Sequence, residues 1–176
     1  MTTATTATEP RIYVASLADY NAGRLHGVWI DAAQDADDIH AEVKAMLAEG
    51  MPGAEEWAIH DSEGFDGIKL SETESFETVA GWAAAIAEHG DAFAAWVGYD
   101  SKYHTDASDF EDAYHGAWAS EAEYAEDWFE STGTFDPGHA LAHYVDWDAV
   151  WASEFESGGY WSAPGDAGTV HVFGNG

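Results

Sequence analysis

After Lys102 the chain contains fifteen Asp and Glu residues and neither Lys nor Arg. Whatever this segment folds into, its carboxylates cannot be neutralised by cations of their own segment. They must stand mainly in solvent while the apolar residues between them build the core. The imbalance is general but graded. Thirty-four acids against five bases give a net charge of −29. Residues 1–69 hold thirteen acids and four bases, and residues 70–176 hold twenty-one acids and one base. A disordered acidic tail would be poor in aromatic residues. Here nine Trp, eight Tyr and eight Phe, within 46% hydrophobic residues, predict a folded chain.

Self-repulsion at this charge works against compactness and makes binding to nucleic acid or an anionic membrane unfavourable, so a basic partner is favoured. The absence of cysteine excludes disulfides and thiolate metal sites. Residues 1–9, "MTTATTATE", are small and mostly polar, and read as a flexible tail rather than a leader. No apolar run approaches spanning length, and a cytoplasmic protein is expected.

"RIYVASL" (11–17) and "RLHGVWID" (24–31) carry β-branched and aromatic residues around "ADYNAG", whose Asn21 and Gly23 suit a tight connection. A hairpin is expected. A helix should follow in "DADDIHAEVKAMLAEG", with Ile39, Val43, Met46 and Leu47 on one face, Asp35 or Asp37 at its start and Gly50 at its end. "EEWAIHD" (55–61) returns as a third strand. In 71–99, Phe76, Val79, Ala83, Ile86 and Ala87 follow helical spacing between Ser71 or Ser75 and Gly90, with a second helix from Asp91 to about Val97. Beyond 106, a helix is expected from Asp146 with Trp147, Val150, Trp151 and Phe155 on one side. "SGGYWSAPGDAG" interrupts, and "TVHVF" (169–173) closes as a strand.

The densest acidic stretch is "FEDAYHGAWASEAEYAEDWFESTG" (110–133). Ser120 and Glu123 form a capping box, and Gly133 fits the helix end. At 100° per residue Tyr124, Ala125, Trp128 and Phe129 share one face, opposite Glu123, Glu126, Asp127 and Glu130. Glu121 lies in the first turn, where the helix dipole favours a negative charge. The like-charge pairs Glu123–Asp127 and Glu126–Glu130 each cost roughly 0.2–0.5 kcal/mol. One such helix is ordinarily just a solvated face, but the same choice recurs throughout the last 74 residues. A dense negative surface on a rigid scaffold can imitate a phosphate backbone. At one charge per about 1.7 Å of duplex axis, 29 charges correspond to roughly 50 Å, or about 15 base pairs.

"RIYVASLADYNAGRLHGVWIDA" (11–32), "MPGAEEWAIHDSEGF" (51–65), "FEDAYHGAWASEAEYAEDWFES" (110–131) and the closing "TVHVF" resemble, in that order, the ArdA antirestriction proteins. The resemblance implies an elongated α+β protein of three small consecutive domains. These would be a three-stranded sheet plus helix (10–69), a small helical domain (70–105) and a mixed α+β domain (106–176) through which a homodimer forms. It further implies a DNA mimic, encoded on a mobile element, that occupies the DNA-binding groove formed by the specificity and methyltransferase subunits of type I restriction–modification enzymes. The acids in matching blocks are Glu55, Glu56, Asp61, Glu63, Glu111, Asp112, Glu121, Glu123, Glu126, Asp127 and Glu130. Tyr114, Gly116 and Trp118 match as well, and are expected to serve packing or dimerisation. The resemblance implies no catalytic residue, cofactor, metal or bound nucleic acid.

Three other readings compete. A halophile-adapted protein of other function would share this composition. With 34 acids, paired carboxylates of a hydrolase carry almost no signal. His139 and His143 stand at i,i+4, but without "HExxH" or an obvious third ligand. "DASDFED" and "DSEGFDG" miss the calcium-loop spacing. Nine Trp could line a carbohydrate-binding platform, although Trp128, Trp147 and Trp151 fall on apolar helix faces.

Overall fold

The computed structural model describes residues 9–99 and 106–174. Most of the expected N-terminal tail (1–8) and Lys102 lie outside the described residues. The fold is α+β, with two three-stranded antiparallel sheets ordered β2-β1-β3 and β4-β6-β5. The chain divides into two compact units, residues 1–107 and 108–176.

In the first unit, β1 (Arg11–Ser16) is the central strand, flanked by β2 (Gly27–Asp31) and β3 (Trp57–Glu63). Strand alternation sends Ile12 and Val14 of β1 and Ile30 of β2 inward, all fully buried. They meet α2 (Ala36–Glu49), whose buried residues are the expected Ile39, Val43 and Met46, while Leu47 is half-buried. Gly50 ends α2, and Asp35 stands at its N-cap without a side-chain cap bond. Ser75 caps α3 (Phe76–His89) by accepting from the Thr78 N–H, and Gly90 ends it at φ 60°. α4 (Asp91–Tyr99) follows directly. Phe76 locks α3 onto this unit, stacking on Trp57 at 4.3 Å and meeting His40 edge-on at 4.6 Å. Ala87, expected on the buried face of α3, is exposed. The buried arc runs instead through Val79, Trp82, Ala83, Ala85 and Ile86.

The connection between β1 and β2 departs from the expected tight turn. It is a one-turn helix, α1 (Leu17–Asn21), and the signal for it is Ser16-x-x-Asp19. The Ser16 hydroxyl donates to Asp19 Oδ2 (2.8 Å) and accepts from the Asp19 N–H (3.3 Å). Asp19 is fully buried and also receives the Met51 N–H at 3.0 Å, with Arg24 Nε 3.5 Å from Oδ1. Gly50 packs so closely against this carboxylate that a Cβ there would stand 2.5 Å from Oδ2. Asp19 therefore ties the end of β1 to the segment that leaves α2.

The second unit contains α5 (Ala107–Ala113), which begins at the unit boundary, then β4 (Tyr114–Trp118) and α6 (Glu121–Ser131). A helical run from α7 (Trp147–Val150) through Gly158 and the strands β5 (Trp161–Pro164) and β6 (Val170–Phe173) complete it. Two strands here went unexpected. β4 is hidden because its two strand-favouring aromatics, Tyr114 and Trp118, are separated by His, Gly and Ala and no β-branched residue joins them. β5 lies inside "SGGYWSAPGDAG", whose Gly and Pro content reads as a break. Tyr124, Ala125, Trp151, Phe155 and Val172 form the core, with Trp118, Phe129, Trp147, Val150, Tyr160 and Val170 packed around them.

The helical run capped by Asp146 is not α-helical throughout: from Trp151 to Phe155 it widens into a π turn. At 3.6 residues per turn Glu154 would fall within the arc of Trp147, Val150, Trp151 and Phe155. The widened turn leaves Glu154 exposed and Phe155 buried, stacked on Trp151 at 5.6 Å.

The Asp19 carboxyl is held below its ordinary value of 3.8, foremost by the Met51 N–H, and also by Ser16, Arg24 and His26, against the opposing effect of burial. A depressed acid contributes stability that is present above its unfolded pKa and is lost as pH falls through the folded one. The Asp19→Asn variant is expected to melt below the wild type at pH 7, with the gap closing as pH drops under about 4. Thermal melts of both proteins at several pH values check this, and a gap independent of pH would contradict it.

Candidate functional site

The acidic residues singled out by sequence fall on both units. Glu55, Glu56, Asp61 and Glu63 belong to the first, and the other seven to the second. In the first unit Glu55 and Glu56 sit on the exposed loop before β3, and Asp61 is exposed on β3 itself. Glu63 is differently placed. Its Oε2 receives Arg11 Nε at 2.8 Å and Nη2 at 2.6 Å, and Arg11 also lies over the Trp29 ring, 4.7 Å from its centroid. Both partners are about half exposed, so the pair adds little stability. It does remove Glu63 from the uncompensated carboxylates.

In the second unit Glu111 and Asp112 are exposed on α5, and five acids ride on α6. The helix forms as its sequence dictates. Ser120 Oγ accepts from the Glu123 N–H (3.1 Å), and Glu123 Oε2 reaches back to the N–H of Ala119 (2.7 Å), one residue earlier than a standard capping box. Gly133, at φ 72°, stands just past the end. The inner face is anchored by Tyr124, which contacts Trp118 (5.4 Å), Trp151 (6.0 Å), Phe155 (5.3 Å) and Tyr160 (6.2 Å). Burial, then Tyr160, pushes the Tyr124 phenol well above its ordinary range, so it stays neutral in the core.

The five carboxylates of α6 are not equivalent. Glu123, Asp127 and Glu130 are exposed on the side away from the core. Glu126 is half-buried. Glu121 is half-buried too, and accepts from the Ser162 hydroxyl at 2.7 Å, joining the first turn of α6 to β5. Successive exposed acids on α6 lie three or four residues apart, which sets neighbouring Cβ atoms about 5–6 Å from each other.

The three motif residues outside the acid set are built into the fold. Tyr114 donates or accepts at His171 Nδ1 (2.9 Å) and stacks on Phe110 at 4.9 Å. Trp118 Nε1 donates to the His115 carbonyl at 3.0 Å. Gly116 has φ 102°, within the bulge where β4 slips against β6 between Tyr114 and Ala117. His115 beside it is held below the usual imidazole range by desolvation.

Sequence blocks missed further exposed acids on the second unit. Asp148, Glu154 and Glu156 lie on the helical run after Asp146. Their signal was available at Asp148, which faces away from the expected apolar side; at Glu154 the π turn conceals it. Asp146 and Asp136 are committed to backbone N–H groups, of Ala149 (3.0 Å) and Gly138 (2.8 Å). His139 and His143 do not share a helix face. His139 Nδ1 accepts from Leu141 N (3.1 Å) in an irregular segment, and His143 packs on Tyr144 at 4.1 Å.

The site is thus an acid-bearing helix backed by an aromatic core, in a unit without Lys or Arg, which gives it a negative field towards solvent. A family model described as Antirestriction protein (ArdA) matches residues 12–165. The chain belongs to this antirestriction family. Comparison with curated proteins gives no match. Among the described residues, no helix is long and apolar enough to cross a membrane.

An L-residue at φ 102° is strained by about 1–3 kcal/mol. Gly116→Ala should therefore lower the denaturant midpoint of the protein by a corresponding amount. Its inhibitory activity should fall only in proportion to the unfolded fraction. Loss of activity in a fully folded Gly116→Ala protein would instead place Gly116 in the contact surface.

Proposed function

We propose that this chain is a DNA mimic that inhibits type I restriction–modification enzymes by occupying the DNA-binding groove of their specificity and methyltransferase subunits. The observation that carries the reading is α6: Glu123, Asp127 and Glu130 exposed on the side opposite a rigid aromatic core, in a unit whose sequence offers no Lys or Arg. Glu111, Asp112 and Glu126 add to the charge of the same unit, and Glu55, Glu56 and Asp61 contribute negative charge from the first. Glu63 and Glu121, already engaged by Arg11 and Ser162, contribute shape and overall field more than direct contact. A basic groove meeting these carboxylates releases counterions, much as it does on meeting phosphates. The protein acts as a cytoplasmic, non-enzymatic inhibitor of three small domains, paired into a homodimer through residues 106–176.

The test is competition: the purified protein is titrated into a type I methyltransferase bound to labelled DNA, with displacement as the readout. Because recognition is distributed, Glu130→Gln should weaken displacement by less than about fivefold, the range of a single exposed ion pair. Joint substitution of Asp127 and Glu130 by Lys should abolish displacement while turning both like-charge pairs of α6 into opposite-charge ones and keeping the Glu123 cap, so the protein stays folded. Raising salt from 50 to 200 mM should weaken the complex steeply, towards the roughly 10³-fold typical of six phosphate contacts. Displacement that is indifferent to salt, or that survives the double reversal, would refute the mimicry.

A further inference from the structure

Two of the nine tryptophans, Trp29 and Trp128, keep more than a third of their surface exposed. Trp29 is already in use. The Arg11 guanidinium lies over its ring, 4.7 Å from the centroid, while Glu63 holds the same guanidinium at 2.6 Å. An indole face and a carboxylate together thus clamp a planar cation within this chain.

Trp128 has a partly exposed indole too, and its own unit supplies no cation to lie over it. It was expected in the core of α6, yet it is 38% exposed. Its inner edge is fixed, edge-on to Phe129 (5.0 Å) and Phe155 (5.6 Å), so the exposed part is a rigid shelf rather than a mobile side chain. Exposed carboxylates flank these rings in sequence: Asp127 precedes Trp128, and Glu154 and Glu156 bracket Phe155. Residues 108–176 contain no Lys or Arg that could cover the indole.

Resting on the antirestriction reading above, we propose that Trp128 is the receiving face for an arginine of the basic partner, held by cation–π contact and steered by the uncompensated negative charge of its unit. Arginine fits better than lysine because its planar, weakly hydrated guanidinium stacks on an indole while still bonding carboxylates. A partly exposed Trp with a packed inner edge is also the residue type that concentrates binding energy in protein interfaces. This contact distinguishes the surface from DNA: a phosphate backbone supplies charge but no indole.

The experiment compares wild type, Trp128→Leu and Trp128→Phe in binding a short polyarginine peptide and a polylysine peptide of equal length, alongside displacement of DNA from a type I methyltransferase. Circular dichroism and thermal melting confirm the fold of each. Wild type should prefer polyarginine. Trp128→Leu should weaken polyarginine binding and methyltransferase inhibition by roughly three- to thirtyfold, with a smaller effect on polylysine. Trp128→Phe, which keeps the packing on Phe155 and retains an aromatic face, should fall between and serves as the test if the Leu variant does not fold. An equal loss for both peptides, or none for either, overturns the arginine shelf. If wild type fails to displace DNA while the peptide preference still depends on Trp128, the shelf stands and the type I target is wrong.

Discussion

The packing of Tyr124, Trp151, Phe155 and Val172 is the interaction on which the acidic face of the second unit depends. Two like-charge i,i+4 pairs on α6 oppose the helix by roughly 0.2–0.5 kcal/mol each. Full burial of one large apolar side chain returns about 1.5–3 kcal/mol. The helix can therefore hold its carboxylates close together without any lysine between them, because its stability comes from the opposite face. A consequence is that the charges are fixed in position. Asp127 and Glu130 are displayed by a helix whose inner residues are locked among aromatic rings, not by a chain that could spread them apart.

Acidic residues serve at least three purposes in this molecule, and their environments distinguish them. Asp19 is a buried structural carboxylate whose Oδ2 is bonded by Met51 and Ser16, while Arg24 approaches Oδ1 without a hydrogen bond. Glu123, Asp136 and Asp146 hold backbone N–H groups in caps and turns, and Glu121 bonds Ser162. Glu123 shows that these purposes overlap, since it caps α6 while remaining exposed. Asp31 and Asp61 likewise hold the N–H groups of Ala33 and Ser62, while Asp127 and Glu130 stand exposed on the outer side of α6. Net charge alone does not separate these groups. The two arginines of the first unit likewise both lie against acids, Glu63 and Asp19, which leaves the surface more uniformly negative than the base count suggests.

Local irregularities do the fine placement. The π turn from Trp151 to Phe155 turns one phenyl ring inward and one carboxylate outward in a single step. The bulge at Gly116 lets β4 pair with β6 on both sides of a slip in register, so that Tyr114 reaches His171 and Trp118 reaches Tyr124. The segment 110–131 thus combines a strand that shapes the unit with a helix that carries the charge.

Periodicity and caps made most of the first unit legible in the sequence. Ile39, Val43 and Met46 announced the buried side of α2, and Ser75 and Gly90 bounded α3, because helix ends and apolar stripes are local properties. The capped acidic helix α6 and the family were legible for the same reason. The sequence could not reveal β4 and β5, whose strand character comes from pairing with β6 across fifty or so residues for β4 and across a short turn for β5. Nor could it show that Trp128 stays partly exposed, that Glu126 is half-buried, or that Glu63 and Glu121 are engaged. Composition determined that the molecule would be negative and aromatic-cored. Which carboxylates remain available was decided only when distant segments packed, because a side chain's partners are set by what the fold brings beside it.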